Sequence, residues 1–124
     1  MAEISAEFAK WTDSLPKSQF QWRSCNVHET GGLRTAEEIE QMVQHLKEMN
    51  FTALLIGGKP PNGRCYWDTE IGTRPEGFEG LDHLKVASEA CEREGLDCLV
   101  QFCTFVEGAA SDPSDFIKQH PELA

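Results

Sequence analysis

Several polar residues stand directly after apolar runs, and a parallel α/β sheet would bring such positions to one edge. His28 and Glu29 form one such pair, and the imidazole of His28 is suited to donating a hydrogen bond to a substrate hydroxyl. Glu107 follows another apolar run and has the chemistry of an acid or a base. The alternative interpretation is a loop histidine accompanied by solvated surface glutamates.

A second group of candidates follows the central apolar run. Lys59 comes directly after Gly57-Gly58, a glycine pair that also occurs in phosphate-binding turns. No helix begins after these glycines, so their amides have no helix N-terminus behind them and phosphate binding is the less favoured interpretation. Tyr66 and Trp67 lie in the middle of the long segment that follows, and we expect this aromatic pair to be at least partly buried.

The other residue types that support catalysis or metal binding form no set in the sequence. His45, His83 and His120 are interpreted as structural or solvated, and the spacing assembles no Ser-His-Asp or Cys-His group. The cysteines include no Cys-x-x-Cys pair and lack the ligand spacing of a zinc site. The sequence therefore predicts free thiols, buried or half-buried, and neither a metal nor another cofactor.

The elements that position these residues alternate between strand and helix. Residues 22–27, 51–56 and 97–106 are β-rich or apolar runs, and amphipathic helices are predicted at 35–49 and 81–94 between them. A β-α-β-α-β order with apolar strands is typical of a parallel sheet covered by helices. The predicted fold class is therefore α/β, with a parallel βαβαβ sheet.

Local signals define the ends of these helices. Thr35 and Glu38 have the spacing of a capping box, and Asn50 is a suitable left-handed terminator. Gly95 is expected to end the second helix in the same way. Farther along, Asp112 and Pro113 predict an N-cap and first turn for one more helix.

Composition limits the class of partner. The chain has 124 residues and a formal net charge of -10, which argues against nucleic acid or an anionic membrane surface as a partner. The acidic start lacks the apolar core of a secretory signal, and no run approaches the roughly 18 apolar residues of a membrane span. We expect a cytoplasmic protein with a single domain, in which residues 1–20 form a helix and linker and residues 21–124 form the βα units.

Four groups of residues resemble a known enzyme family. The run from Phe51 to Lys59, with the following Tyr66-Trp67-Asp68, resembles the second strand and loop of α-L-fucosidase-like glycoside hydrolases and the hypothetical glycosyl hydrolases related to them. Residues 81–102 are similar to the next helix and strand of that family. Val27-His28 resembles the end of its first strand, and His120-Pro121-Glu122 resembles the segment after its third strand.

The resemblance implies a (β/α)8 barrel that cleaves glycosides with two carboxylates and retention of configuration. The chain would correspond to the first three βα units, a partial TIM barrel with open sheet edges that need further chain or a second copy to complete them. The family's His-His after the lysine is replaced by Pro60-Pro61, and its nucleophile and acid/base belong to later units. The resemblance thus implies no catalytic residue in this chain.

These observations lead to three hypotheses. The favoured one is a glycoside-hydrolase-like barrel fragment that binds a carbohydrate or polyol and does not hydrolyse it alone. Trp67 would be a stacking platform and Lys59 a donor to hydroxyl or carboxylate groups, on a rim composed of His28, Glu29, Lys59, Tyr66, Trp67 and Glu107. The alternatives are a non-enzymatic module that self-associates and, less favoured, a small α/β domain that binds an anionic metabolite near Gly57-Gly58.

Overall fold

The computed structural model describes residues 2–14, 22–28, 30–78 and 80–123. Helices and strands alternate along most of the chain, and two single 3-10 turns, Thr30–Gly32 and Pro121–Leu123, accompany them. The elements are α1 (Ala2–Ser14), β1 (Ser24–Val27), α2 (Ala36–Glu48), β2 (Ala53–Lys59), α3 (His83–Glu94), β3 (Asp97–Phe102), β4 (Gly108–Ala109), β5 (Asp112–Pro113) and α4 (Asp115–Gln119). No helix among the described residues is both long and apolar enough to cross a lipid bilayer.

The main sheet confirms the predicted α/β class. Its strands are ordered β1-β2-β3 and are parallel throughout, with Leu54 in register between Cys25 and Cys98. Strands that are neighbours in sequence are therefore neighbours in the sheet, and each crossover passes through a helix. β4 and β5 form a separate small antiparallel pair after the third strand.

The core lies on one face of this sheet. Leu54 and Ile56 of β2 are fully buried in one cluster with residues of both α2 and α3. Because alternate residues of a strand point to the same face, both helices cover the face that carries Leu54 and Ile56. The two helices pack side by side, and an ion pair of 2.8 Å between Arg93 and Glu40 joins them at the surface. The opposite face carries Leu55, Leu99 and Gln101, which are only half-buried.

The ends of α2 and α3 confirm the local signals in the sequence. The Thr35 hydroxyl accepts a hydrogen bond from the Glu38 amide at 3.1 Å, and the Glu38 carboxylate accepts one from the Thr35 amide at 3.2 Å. Asn50 has a φ of 60°, and Gly95 ends α3 with a φ of 69°. The Leu96 amide then donates to the Cys91 carbonyl at 2.9 Å, as a Schellman motif requires.

All three strands of the main sheet differ in their bounds from the sequence prediction, and β1 begins at Ser24 rather than at residue 22. β2 continues through Gly57-Gly58 to Lys59, because the backbone still pairs with β3 across a bulge at these glycines. A side chain at position 58 would meet Val100 and Leu84, so glycine there reflects close packing. β3 ends at Phe102 rather than at residue 106, because the carbonyl groups that follow turn toward the Lys59 ammonium.

The last helix also begins later than predicted. Asp112 and Pro113 pair with β4, and the N-cap of α4 is Ser114, whose hydroxyl accepts from the Ile117 amide at 3.4 Å. The prediction of Asp112 as N-cap was therefore wrong. At the other end of the chain the predicted first helix is present as α1, where the Phe8 and Trp11 rings lie 5.4 Å apart.

We expect Gly58→Ala to destabilise the fold. An added Cβ would lie 2.6 Å from the Val100 side chain and 3.2 Å from that of Leu84, so these side chains or the backbone that carries them must shift. Overpacking of this kind costs about 1–3 kcal/mol of unfolding free energy. The measurement is urea denaturation followed by circular dichroism.

Gly32→Ala is the matched control, because no atom lies within 4 Å of its added Cβ. Its unfolding free energy should stay within about 0.5 kcal/mol of the parent. Equal stabilities for the two variants would contradict the close approach at Gly58.

Candidate functional site

The residues predicted to form one rim are divided between two clefts. His28 and Tyr66 line a cleft of about 440 Å³ beyond the carboxyl ends of the strands, together with Asn62 and Gln101. Lys59, Trp67 and Glu107 line a second cleft of about 260 Å³. Glu29 lies outside the described residues. The predicted role of these residues in ligand binding stays a prediction.

His28 enters the larger cleft with a defined hydrogen bond. Its Nε2 lies 2.9 Å from the side-chain nitrogen of Asn26, two residues earlier in the chain. The Asn26 amide nitrogen is a donor, so Nε2 of the neutral imidazole accepts and Nδ1 carries the proton. The exposed His28 side chain therefore has a donor left for a ligand.

The floor of this cleft is held by Thr30. The Thr30 side chain is 1% exposed, and its hydroxyl donates to the Gly57 carbonyl at 2.8 Å. That bond joins the turn after β1 to the carboxyl end of β2. A side chain at position 57 would meet Thr30 Oγ1 at 3.0 Å, so the glycine permits this close approach.

Amide side chains supply the remaining polar groups. The Asn62 side-chain oxygen accepts from the Arg64 amide at 2.9 Å, which leaves the Asn62 amide group as a donor. Gln101 reaches the cleft from β3, and among the described residues its side chain has no hydrogen-bond partner. The described residues that line the cleft include no carboxylate and no Lys or Arg. The lining is therefore neutral and polar, with one aromatic wall.

Tyr66 forms that wall and is itself firmly held. Its ring is 7% exposed and meets Phe78 and His83 edge-on, with centroids 5.8 and 5.2 Å away. Its amide donates to the Gly58 carbonyl at 2.9 Å, which ties the long loop to β2. Its hydroxyl lies so close to Gly31 that an added Cβ would be 2.6 Å away.

Lys59 has all three of its ammonium donors occupied by the protein. The side chain is 8% exposed, and Nζ lies 2.6 Å from a Glu107 carboxylate oxygen. It also donates to the carbonyls of Cys103 and Val106 at 2.8 and 2.9 Å. An ammonium has three N–H groups, so none remains for a ligand without breaking one of these bonds. Lys59 therefore organises the loop after β3.

Backbone hydrogen bonds also hold Glu107 in place. Its carbonyl accepts from the Ser114 amide at 2.7 Å, and the next amide, of Gly108, donates to Pro61 at 2.8 Å. Cys65 is buried nearby: burial raises the pKa of its thiol, while the charge of Lys59 lowers that pKa and the charge of Glu107 raises it further. The smaller cleft is thus lined by a neutralised ion pair.

Trp67 borders the smaller cleft on its other side. Its ring lies 5.6 Å from that of Phe102, at 41° between the planes, and Phe102 in turn lies 5.7 Å from the Lys59 ammonium. The Trp67 side chain is half-buried, so part of its ring remains open to a ligand. At the end of the smaller cleft next to α4, the Thr73 hydroxyl donates to the Asp115 carboxylate at 3.2 Å.

His83 was interpreted from the sequence as structural or solvated, and the structure places it in the core. It is fully buried, its Nε2 donates to the Leu33 carbonyl at 2.7 Å, and its Nδ1 has no partner within the described residues. Burial lowers the pKa of His83, and the charge of Arg74 acts in the same direction; the Leu33 and Leu81 carbonyls and the Asp82 charge oppose the shift. The buried stripe of α3 gave no signal for this residue, because a histidine was not expected among apolar positions.

No metal centre is apparent among the residues that the structure describes, since no three His, Cys, Asp or Glu side chains converge. All five cysteines carry free thiols. Family models, curated proteins and solved structures were compared with the chain, and none matches. The chemistry of the two clefts therefore has to be argued from their own residues.

We expect Lys59→Met to destabilise the protein strongly. The substitution leaves the Glu107 carboxylate and two carbonyl groups without their donor in a largely buried site. Removing one partner of a buried pair costs about 3–5 kcal/mol. Urea denaturation of the variant and the parent measures this loss.

Lys118→Met serves as the control, because its ion pair with Asp115 is about half exposed on both sides. Exposed pairs contribute about 0–1 kcal/mol. The double substitution Lys59→Met with Glu107→Gln should recover part of the loss, since it removes the unpaired charge. If Lys59→Met proves as stable as Lys118→Met, the bonds from Lys59 to Glu107 and to the loop after β3 do not stabilise the protein as described.

We expect stability to fall as the pH decreases from 7 to 5, through protonation of His83. The lowered pKa of His83 means that the unfolded chain binds its proton first, below about pH 6.5. The neutral, buried His83 therefore contributes its full stabilisation above the pKa that it has in the unfolded chain. This stabilisation is lost as the pH falls toward the lower pKa of His83 in the folded protein, with a slope of at most about 1.4 kcal/mol per pH unit.

The test compares this slope in the parent and in His83→Gln, which keeps a donor for the Leu33 carbonyl. The slope between pH 5 and 7 should become shallower in that variant. His45→Gln, at an exposed position of α2, should leave it unchanged. An identical slope in His83→Gln would exclude His83 as its source.

Proposed function

We propose that the three parallel strands and their helices are units of a glycoside-hydrolase-like (β/α)8 barrel, and that the cleft at their carboxyl ends binds a carbohydrate or another polyol. The observation that carries the proposal is the position of this cleft. It lies beyond β1 and β2, at the end of a parallel sheet where α/β proteins bind ligands.

The winding of the sheet supports the barrel part of the proposal. Strands in the order β1-β2-β3, joined by crossovers of one hand, must carry both helices on the same face. A doubly wound sheet reverses its order and places helices on both faces. The described helices α2 and α3 share one face, which is the arrangement that a barrel repeats around its axis.

The uncovered face supports it as well. Leu55 and Leu99 are half-buried on the face away from the helices, and Gln101 lies above them on the same face near the cleft. In a barrel this face is the packed interior, filled by layers of side chains from neighbouring strands. The residues on it are of the sizes that such layers contain.

The chemistry of the cleft favours a neutral ligand rich in hydroxyl groups. His28, Asn62 and Gln101 offer donors and acceptors without a net charge, and Tyr66 adds an aromatic wall. An anionic metabolite would be matched by a cation, and the described lining residues include neither Lys nor Arg. Lys59 is committed to Glu107 and is not free to supply that charge.

We propose that this cleft binds a carbohydrate and does not hydrolyse it. Retaining glycosidases hold two carboxyl groups about 5–5.5 Å apart across the scissile bond. The described lining of the cleft has no carboxylate, and the candidate Glu107 is paired with Lys59 in the other cleft.

Self-association is the second candidate function, and the outer edge of β3 favours it. Val100 and Phe102 are 47% and 51% exposed on this strand, beside a hydrogen-bonding edge that pairs with no described strand. Exposed apolar edges of this kind template pairing with another chain.

We expect His28→Ala and Gln101→Ala each to weaken carbohydrate binding about five- to tenfold, the effect of losing one hydrogen bond. The measurement is saturation-transfer NMR with L-fucose and a panel of methyl glycosides, followed by titration of whichever sugar binds. His45→Ala, on the exposed side of α2, is the control and should bind as the parent does.

The outcomes separate the two candidates. Sugar binding that both cleft variants weaken, without turnover of 4-nitrophenyl α-L-fucoside, supports the carbohydrate site. If the protein binds none of the sugars in the panel, the carbohydrate proposal is wrong. Concentration-dependent assembly seen by light scattering, in the absence of sugar binding, would favour self-association.

A further inference from the structure

The smaller cleft, which the proposed carbohydrate site does not use, has aromatic walls. Trp67 from the long loop, Phe102 from the end of β3 and Phe116 from α4 all line it. The rings of Trp67 and Phe102 are inclined at 41°, so they form two walls and not a parallel stack. Phe102 and Phe116 are each about half exposed. Aromatic surface in this cleft of about 260 Å³ is therefore open to a small ligand.

The ion pair in the same cleft has an unused acceptor and no unused donor. The Lys59 ammonium bonds to Glu107 Oε1 and to two backbone carbonyls, which occupies its three N–H groups. Among the described residues, no N–H or O–H group donates to the other Glu107 oxygen, Oε2. A Cβ added at Gly63, which also lines the cleft, would lie 2.9 Å from Oε2. A polar ligand that reaches this oxygen must therefore supply a donor.

The charges of the lining favour a cation. The described lining residues include one basic side chain, Lys59, and two acidic ones, Glu107 and Asp115. A hydrogen bond from Lys118 lowers the pKa of Asp115, so this carboxylate is charged at neutral pH although Lys118 and Arg64 lie beside it. The chain as a whole has a formal net charge of -10, and such a field raises the local concentration of cations.

An ammonium group already faces an aromatic ring here. The Lys59 nitrogen lies 5.7 Å from the centroid of the Phe102 ring, within the range at which a cation is attracted to the ring face. The accessible parts of Trp67 and Phe116 offer the same interaction to a ligand, and tryptophan attracts cations more strongly than the other aromatic side chains do. A ligand with an apolar body and a positive charge would match both the walls and the carboxylates.

We propose that the smaller cleft binds a small organic ammonium ion, with the apolar body against Trp67 and Phe116 and the ammonium group donating to Glu107 Oε2. The assignment rests on the aromatic walls, on the unused carboxylate oxygen and on the excess of carboxylates in the lining. It is independent of the proposed carbohydrate site, because the two clefts share no described lining residue.

Other classes of ligand match fewer of these groups. An anion would meet two carboxylates and a lysine whose N–H groups are all occupied. An uncharged molecule of the same shape would keep the aromatic contacts but would lose the attraction of the carboxylates and of the ring faces for a positive charge. The comparison of a cation with its uncharged analogue therefore tests the assignment.

The first experiment titrates the full chain with phenethylammonium chloride at pH 7 and low salt. Binding is followed by NMR through the amide resonances of Gly63 and Gly72, which line the cleft. 2-Phenylethanol is the matched probe, since it has nearly the same shape and no charge. The ammonium ion should bind about fivefold or more tightly than the alcohol, and added salt should reduce this difference.

The second experiment repeats the titration with variants. Trp67→Leu removes the stronger aromatic wall and should weaken binding of phenethylammonium about fivefold. Asp115→Asn removes one exposed charge and should weaken it about twofold. Trp22→Leu is the control for the tryptophan, because Trp22 lies before β1 at the other end of the sheet, where its indole donates to Asp97, and it should bind as the parent does.

Circular dichroism confirms that each variant is folded before its affinity is compared. Tighter binding of the ammonium ion, lost in Trp67→Leu and kept in Trp22→Leu, supports the site. Equal affinities for the ammonium ion and the alcohol, no shift of the Gly63 and Gly72 resonances at saturating probe, or undiminished binding in Trp67→Leu would overturn the proposal. None of these results bears on sugar binding in the larger cleft, which is measured separately.

Discussion

The buried ammonium of Lys59 is the interaction on which the carboxyl end of the sheet depends. A lysine removed from water needs an acceptor for each N–H, and here one carboxylate and two carbonyls supply them within 2.9 Å. Those carbonyls belong to residues after β3, so the strand has to end where they turn inward. The loop that results carries Glu107 back to Lys59 at the end of β2.

The position of α2 and α3 on the same face of the sheet explains where the core, the uncovered face and the clefts lie. Both helices cover the Leu54 and Ile56 face, and Cys98 packs against the core cluster on that face. The same arrangement leaves the second face and the β3 edge without a helix of the described chain. Polar side chains at the carboxyl ends of β1 and β3 then converge on a cleft whose described lining has no Lys, Arg or carboxylate, whereas Lys59 and Glu107 pair with each other outside it.

Two glycines of β2 allow side chains of other segments to pack directly against its backbone. Gly58 lets Val100 and Leu84 pack against β2, and Gly57 lets Thr30 bond directly to the strand. A side chain at position 57 would meet Thr30, and one at position 58 would meet Val100 and Leu84. The glycine pair, which as a sequence pattern resembles a phosphate turn, therefore has a packing role inside a strand.

The sequence by itself determined the features that depend on neighbours along the chain. The capping box at Thr35, the left-handed Asn50 and Gly95, and the order of strands and helices all arise from local hydrogen bonds and periodic burial. Helix and strand periodicity also sufficed to predict the parallel sheet.

Only the tertiary structure decided what depends on contacts between distant residues. Lys59 meets the 103–107 loop, and His83 fills a buried position beside Tyr66, because the sheet and the helices bring separate segments together. Such pairings have no period in the sequence, and the energy of burying a polar group depends on partners that become known only after folding. For this reason the sequence supplied candidate residues one by one, but it did not predict their division into two clefts.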